Sequence, residues 1–303
     1  MSAPFQVIVH PRIPSLSDPH RFLQAYQRGD RNAPNALIFL GGLTSGPHTT
    51  DLDFLTHALL EQYPALGYSL WELRTRSAYT GFGHSSLAND AEDVTDLVRY
   101  LRIPTNIPTG KIVLMGASTG SQACLQHSKT NTQPDGLGVD GYILTSPVSD
   151  REFAPLIMTP DTLAESLRLA RQMIADGKGQ ESMPHALMPF VFADVPVSAY
   201  RWWSLADEGG DDDFFSSDLP DAHLATTFGR VDTPLLILPA GEDELVPATV
   251  DREELMGRWV AACREGVVSE LSGFIPGAGH EVVDGKAREW LVERVMRFLK
   301  GLL

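Results

Sequence analysis

Short apolar runs recur along the chain, separated by longer stretches with the apolar spacing of helices. The runs are Phe5 to Val9, Ala36 to Leu40, Ser69 to Leu73, Ile112 to Met115, Gly141 to Leu144, Leu235 to Leu238 and Val267 to Ile275. Continuous runs of this length are typical of strands buried on both faces. Between two of them, Asp90 to Leu101 carries apolar residues at helical spacing. The alternation predicts an α/β fold, with a mostly parallel central sheet and helices on both faces.

The segment from about residue 149 to residue 229 departs from this alternation. Within it, Leu163 to Ile174 has the apolar spacing of an amphipathic helix. We therefore expect a single domain over residues 1–303, with a helical cap inserted at about residues 149–229. Met183 to Phe192 is rich in Met, Pro and Phe, which would either line an apolar pocket under this cap or pack the cap onto the core.

A serine between glycines follows the fourth apolar run. Gly116-Ala117-Ser118-Thr119-Gly120 has the pattern G-x-S-x-G and precedes a stretch compatible with a helix. In this context the pattern is typical of a nucleophile elbow, in which a serine on a sharp strand-to-helix turn exposes its Oγ. The alternative is a Gly-rich turn that packs tightly or cradles a phosphate.

A histidine near the end of the chain is the candidate base for Ser118. His280 stands in a Gly-rich loop, Gly277-Ala278-Gly279, between an apolar run and a predicted helix that begins near Lys286. Taking the serine proton and returning it to a leaving group is a task for which an imidazole is the natural choice.

An acidic turn after the run Leu235 to Leu238 supplies the candidate acid. Asp243 follows the end of that strand, where its carboxylate can accept the Nδ1 proton of His280 and fix the tautomer. Glu242 and Glu244 are rivals, which we expect to be solvated loop charges. The resulting chain order is Ser, acid, His.

The second apolar run ends in Gly41-Gly42, a place where backbone amides can approach a substrate. An oxyanion hole in this arrangement uses the N–H of the residue after the nucleophile, Thr119, and one from the early loop. We assign the second donor to Leu43, with Gly42 and Thr44 as the neighbouring alternatives.

With these features the chain resembles an α/β-hydrolase along its whole length, and in particular a family of mainly fungal and plant proteins that includes fungal siderophore esterases. The segments that carry the resemblance are Phe39 to Leu43, Gly116 to Gln122, Tyr200 to Leu205 and Gly209 to Leu219. The resemblance implies a cytoplasmic Ser-His-Asp esterase acting on small secondary metabolites, with hydroxamate siderophores as one substrate class. A lactonase, a thioesterase or an acyltransferase would use the same machinery, and a non-catalytic binding protein on the same fold is a further alternative.

Four residues are candidates for the substrate pocket: Gly42, Met158, Trp202 and Trp203. The two tryptophans are adjacent, so an extended backbone would point them to opposite faces and only one would line the pocket.

Three consecutive carboxylates, Asp211-Asp212-Asp213, raise the question of a metal site. Hard cations bind several oxygen ligands, but ligands at adjacent positions rarely converge. We instead expect this stretch to cap a helix that begins near Phe214. We predict neither a metal nor a cofactor.

Charge and cysteine content limit the expected binding partners and the expected cellular location. The chain has 24 Lys and Arg against 39 Asp and Glu, a formal net charge of −15. Nucleic acids and anionic membranes attract clustered basic residues, so neither is an expected partner. The expected partner is a small-molecule ester, and the acidic charge weakly disfavours an anionic acyl-CoA. Two cysteines exclude a disulfide framework. With no signal-like segment or membrane-length apolar run, we expect a cytoplasmic protein. The sequence does not indicate an oligomeric state.

Overall fold

A computed structural model describes residues 6–15, 17–103, 110–129, 138–192 and 195–303. In these ranges one seven-stranded sheet has the order β1-β2-β4-β3-β5-β6-β7. Its strands are β1 (Val7–Pro14), β2 (Phe22–Arg28), β3 (Asn35–Leu40), β4 (Tyr68–Arg74), β5 (Ile112–Ala117), β6 (Gly141–Thr145) and β7 (Leu235–Leu238).

The sheet is parallel from β4 to β7 and antiparallel at the edge formed by β1 and β2. Every residue of β3, β6 and β7 is buried, as expected for strands covered on both faces. The prediction of an α/β fold with a mostly parallel sheet is confirmed.

Helices cover both faces of the sheet. They are α1 (Asp53–His57), α2 (Leu87–Arg102), α3 (Thr119–Ser128), α4 (Asp150–Ile157), α5 (Pro160–Ala175), α6 (Ala199–Ala206), α7 (Asp221–Thr227), α8 (Arg252–Ala262) and α9 (Gly285–Gly301). Shorter helical turns lie at Ala58–Gln62, Pro64–Leu66, Tyr79–His84, His185–Leu187, Phe190–Phe192 and Phe228–Arg230. Strand side chains alternate between two apolar clusters. Ile38 and Leu114 pack with α2, α3 and α8, whereas Leu37 and Val113 pack with α1 and α9.

Two predictions about strands differ from the structure. Strand β2 was not predicted, because its exposed Phe22 and alternating burial do not produce a continuous apolar run. The run Val267 to Ile275 lies beside β7 but is not a regular strand. It makes two single bridges, at Val268 and Ile275, on either side of a turn closed by the bond from Ser272 N to Ser269 O. In the first run, Phe5 lies outside the described residues.

The predicted helices Asp90 to Leu101 and Leu163 to Ile174 are present as α2 and α5. Helices α4 to α7 all lie between β6 and β7, the segment where the sequence pattern changes. Three of them contribute to an apolar cluster apart from the sheet, through Ala154, Ala170 and Trp202. No helix in the described ranges is both long and apolar enough to span a membrane.

Candidate active site

Ser118 lies on the sharp turn between β5 and α3. Its backbone has φ 54° and ψ −126°, a strained conformation for a residue with a side chain. The bond from Ser118 N to Thr145 O, 3.0 Å, holds the turn against β6. A Cβ at Gly116 would lie 2.1 Å from Gly120 O, and one at Gly120 would lie 2.0 Å from Leu40 O. Only glycine fits these two positions.

Asp243 and His280 form a hydrogen-bonded pair on the loops after β7. His280 Nδ1 lies 2.9 Å from Asp243 Oδ2 and 3.1 Å from Oδ1. The carboxylate is buried and also accepts a bond from Leu245 N at 3.0 Å. Because Asp243 occupies Nδ1, the ring is fixed with Nε2 as its free nitrogen, the arrangement that a general base needs.

Two further side chains hold these loops in place. The Glu244 carboxylate accepts a bond from His280 N at 2.8 Å, and this bond lowers the Glu244 pKa. The sequence analysis expected Glu244 to be a solvated loop charge. It is exposed, but its carboxylate also holds the backbone of His280. Arg252 donates to Gly241 O at 3.0 Å and to Asp243 O at 2.7 Å. No local pattern in the sequence indicated this arginine.

Ser118 and His280 line the same cavity, whose volume is about 760 Å³. No hydrogen bond joins their side chains among the described residues. In free enzymes the nucleophile–base bond is often long and tightens only when substrate binds. The cavity thus brings together a strained serine and an oriented imidazole.

The candidate oxyanion donors flank Ser118. Leu43 lines the cavity and Thr119 begins α3. In the part of the chain that is described, neither backbone N–H has a hydrogen-bond partner. A Cβ at Gly42 would lie 2.9 Å from Ser118 Cβ, so the early loop packs directly against Ser118. Free amides beside the serine are what an oxyanion hole requires.

Of the four pocket candidates, Gly42 and Trp202 line the cavity, whereas Trp203 and Met158 do not. The tryptophans lie on α6 rather than on a strand, and successive helical side chains diverge by about 100°. Trp203 therefore packs beside Tyr200, with ring centroids 6.0 Å apart. Met158 follows α4 and packs against the apolar cluster to which α4, α5 and α6 contribute.

Helix α4 forms a wall of the cavity that the sequence analysis missed. Asp150, Phe153 and Ile157 on this helix line the cavity. A signal was available, because Ser149 and Glu152 have the spacing of a capping box, which marks a helix start. Ser149 Oγ does accept a bond from Glu152 N at 3.0 Å.

The stretch Asp211-Asp212-Asp213 does not cap a helix, since no helix begins near Phe214 in the described chain. Each carboxylate binds a different side chain: Asp211 accepts a bond from Tyr200, Asp212 from Arg201 at 2.6 Å and Asp213 from Arg151 at 2.7 Å. The three side chains diverge, so they anchor different parts of the chain between β6 and β7. Across the described ranges, no group of three His, Cys, Asp or Glu side chains is placed to hold a metal ion.

Comparison with known proteins places the chain in a family. Residues 11–300 match a family described as "Protein of unknown function (DUF1749)". The chain belongs to this family. It is 31% identical over 323 residues to fusarinine C esterase sidJ of Aspergillus fumigatus, covering 89% of this chain and 90% of the relative.

Solved structures agree with the fold. The siderophore hydrolase EstB from Aspergillus fumigatus superimposes with a TM-score of 0.79 at 30% identity, over 100% of both chains. The α/β hydrolase GrgF from a Penicillium species gives a TM-score of 0.63 at 15% identity, over 99% of both chains. The chain has the α/β-hydrolase fold.

Proposed function

We propose that this protein is a serine hydrolase that cleaves a carboxylic ester of a small secondary metabolite through an acyl-enzyme. Ser118 is the nucleophile, His280 the general base and Asp243 the acid that orients it. The observation that carries the proposal is the Asp243–His280 pair, 2.9 Å apart, beside the same cavity as the strained Ser118.

The reaction follows from these positions. His280 Nε2 takes the proton of Ser118 Oγ while the oxygen attacks the ester carbonyl. The Leu43 and Thr119 amides donate to the negative oxygen that forms. The protonated imidazole gives its proton to the departing alcohol, and water attacks the acyl-enzyme by the same route.

The proposed substrate class rests on the cavity and on the relatives. A volume of about 760 Å³ suits a small organic ligand, and Phe54, Phe153, Phe192 and Trp202 give the cavity a largely apolar wall. Two relatives are named for siderophores, one as an esterase and one as a hydrolase. We therefore place hydroxamate siderophore esters first among the candidate substrates.

The first test is covalent labelling with a fluorophosphonate, read by intact-mass spectrometry. The wild-type chain should gain one adduct, and Ser118→Ala should gain none, because only an activated serine attacks phosphorus readily. Ser182→Ala is the matched control. Ser182 Oγ lies 3.3 Å from His84 Nε2 on the surface, a serine–histidine contact without the elbow or the cavity. This variant should label like wild type.

Labelling must be followed by turnover of simple esters, lactones, thioesters and hydroxamate-siderophore esters. Cleavage of an ester that is lost in Ser118→Ala supports the proposal, and preference within the panel distinguishes an esterase from a lactonase or thioesterase. A wild-type chain that neither labels nor cleaves any member, beside an active control esterase, would contradict it.

A further inference from the structure

Asp150 lines the cavity, and among the described residues its carboxylate has no Lys or Arg partner. It is the first residue of α4, and its side chain lines the cavity. Among the described residues, no Lys or Arg lies within ion-pair distance of it, and its one hydrogen bond comes from Gln122 Nε2 to Oδ2 at 2.7 Å. A half-buried carboxylate usually has a cation or several donors beside it. Here the residue is at the cavity wall, where a ligand can supply that partner.

The bond from Gln122 places this carboxylate near the reacting serine. Gln122 lies on α3, one helical turn after Ser118. Asp150 therefore stands beside the first turn of the helix that begins at the nucleophile. Ser118 and Asp150 line the same cavity, so a substrate whose carbonyl reaches Ser118 can place another of its groups at this carboxylate.

The cavity lining as a whole carries excess negative charge. Its described lining residues include three carboxylates, Asp51, Asp150 and Glu281, and one guanidinium, Arg288. That guanidinium donates to Asp51 at 2.7 Å, so it is already paired. The lining thus attracts cations and repels anions, in the same sense as the charge of −15 on the chain.

The surroundings of Asp150 raise its pKa, so a bound cation can change its protonation state. Burial, the largest cause, and the nearby Asp212 raise its pKa to about 7, whereas Arg201, His280 and Gln122 act to lower it. Arg201 donates instead to Asp212, at 2.6 Å. A cation bound in the cavity would compensate the burial of the carboxylate and favour its charged form.

We propose that Asp150 is a specificity-determining residue that binds a positively charged group, such as an ammonium, on the ester substrate. The inference rests on the proposed ester hydrolysis at Ser118 and adds the chemical class of substrate that the site prefers. Esters that carry a cation near the carbonyl are the favoured class, and anionic esters are disfavoured.

The test uses pairs of esters that differ only in a trimethylammonium group against a tert-butyl group. The groups have nearly the same shape, and the charge of the first does not change with pH. A series with linkers of increasing length, on the acyl or the alcohol side, finds the best placement. The readout is kcat/KM for the cationic ester divided by kcat/KM for the neutral ester of the same pair. A general loss of activity lowers both values equally and leaves this ratio unchanged.

Wild type should prefer the cationic ester, and the ratio should rise between pH 6 and pH 8 as Asp150 ionises. Asp150→Asn, which can still accept the bond from Gln122, should lower the ratio by about tenfold and remove its pH dependence. Asp150→Glu should restore part of the preference. The matched control is Asp161→Asn, which removes an exposed first-turn carboxylate from α5, outside the cavity, and should keep the wild-type ratio.

The two proposals fail differently. Turnover of neutral esters with no preference for the cationic member, or a preference that survives in Asp150→Asn, would overturn the role of Asp150 and leave the hydrolase intact. Absence of both turnover and labelling would overturn the two together. If Asp150→Asn does not fold, the pH dependence of the wild-type ratio and the Asp150→Glu variant decide the question.

Discussion

At the scale of single residues, the position of Ser118, the proposed nucleophile, depends on neighbouring glycines. Ser118 is packed between the glycines of its own turn and Gly42 of the early loop, where a Cβ would lie 2.9 Å from Ser118 Cβ and 3.3 Å from its Oγ. Contacts this short leave no free volume. The loop and the serine therefore fix each other's positions.

We expect Gly42→Ala to lower kcat/KM on any cleaved ester by roughly a hundredfold, because a displacement of about 1 Å at the nucleophile has a cost of that order. Gly257→Ala is the control, since a Cβ at Gly257 of α8 meets nothing within 4 Å. It should keep full activity and gain a little stability. Steady-state kinetics and thermal unfolding of both variants give the answer, and wild-type kinetics in Gly42→Ala would refute the close packing.

At the scale of elements, α4 connects the end of β6 to the cavity. Its first turn is held by Ser149, whose Oγ accepts the bond from Glu152 N and lies 2.6 Å from Ser216 Oγ. The helix carries Asp150 and Phe153 into the cavity. Ser149, the N-cap residue of α4, thus helps to position the part of the cavity that this helix lines.

Ser149→Ala should cost about 1 kcal/mol of stability, as loss of an N-cap does, and should raise KM several-fold because α4 is displaced. Thr159→Ala is matched to it. Thr159 caps α5 through a bond from Thr162 N at 3.3 Å, but α5 does not line the cavity. Its variant should lose some stability and keep its KM. Equal KM values in the two variants would show that the N-cap bond of Ser149 does not affect substrate binding.

The sequence predicted an element well where all the residues of a short segment are buried, because such a segment is a continuous apolar run. The strands β3, β5 and β7 are continuous apolar runs, because helices cover both of their faces, and the elbow serine follows directly from one of them. Strand β2 lies near an edge and mixes exposed and buried positions, so it produced no such run. The contacts of Asp150 with Gln122 and of Glu244 with His280 join segments far apart in the chain, and no spacing within one segment could reveal them. Arg252 contacts a nearby loop, but no local pattern distinguishes it.

At the scale of the whole molecule, buried acids couple stability to pH. Asp90 in the first turn of α2 has its pKa raised to about 6, chiefly by burial, with nearby Asp93 acting in the same direction. Ser77 and Arg201 oppose the shift. A carboxyl with a raised pKa in the fold contributes stability when protonated and loses that contribution as pH rises through the raised value.

We therefore expect Asp90→Asn, which resembles the protonated acid, to become more stable relative to wild type as pH rises. The difference in the free energy of unfolding should grow by about 1 kcal/mol from pH 5 to pH 8. The amide oxygen can still accept the bond from Ser77 N. Denaturant unfolding of both chains across this range measures the change. A stability difference that stays constant with pH would show that Asp90 does not titrate in the folded protein.

Among the described residues, the loops that carry Asp243 and His280 are hydrogen-bonded to each other and not to Ser118. Besides the side-chain pair, Glu242 N donates to Ala278 O at 2.8 Å, and Glu244 holds the backbone of His280. The Asp243–His280 pair is therefore assembled at one edge of the sheet, and Ser118 lies on a separate turn near its centre. A small displacement between the two would change the distance from serine to histidine while Asp243 keeps the imidazole oriented, so we expect substitutions at the contact between these loops and the elbow to change activity without altering any proposed catalytic residue.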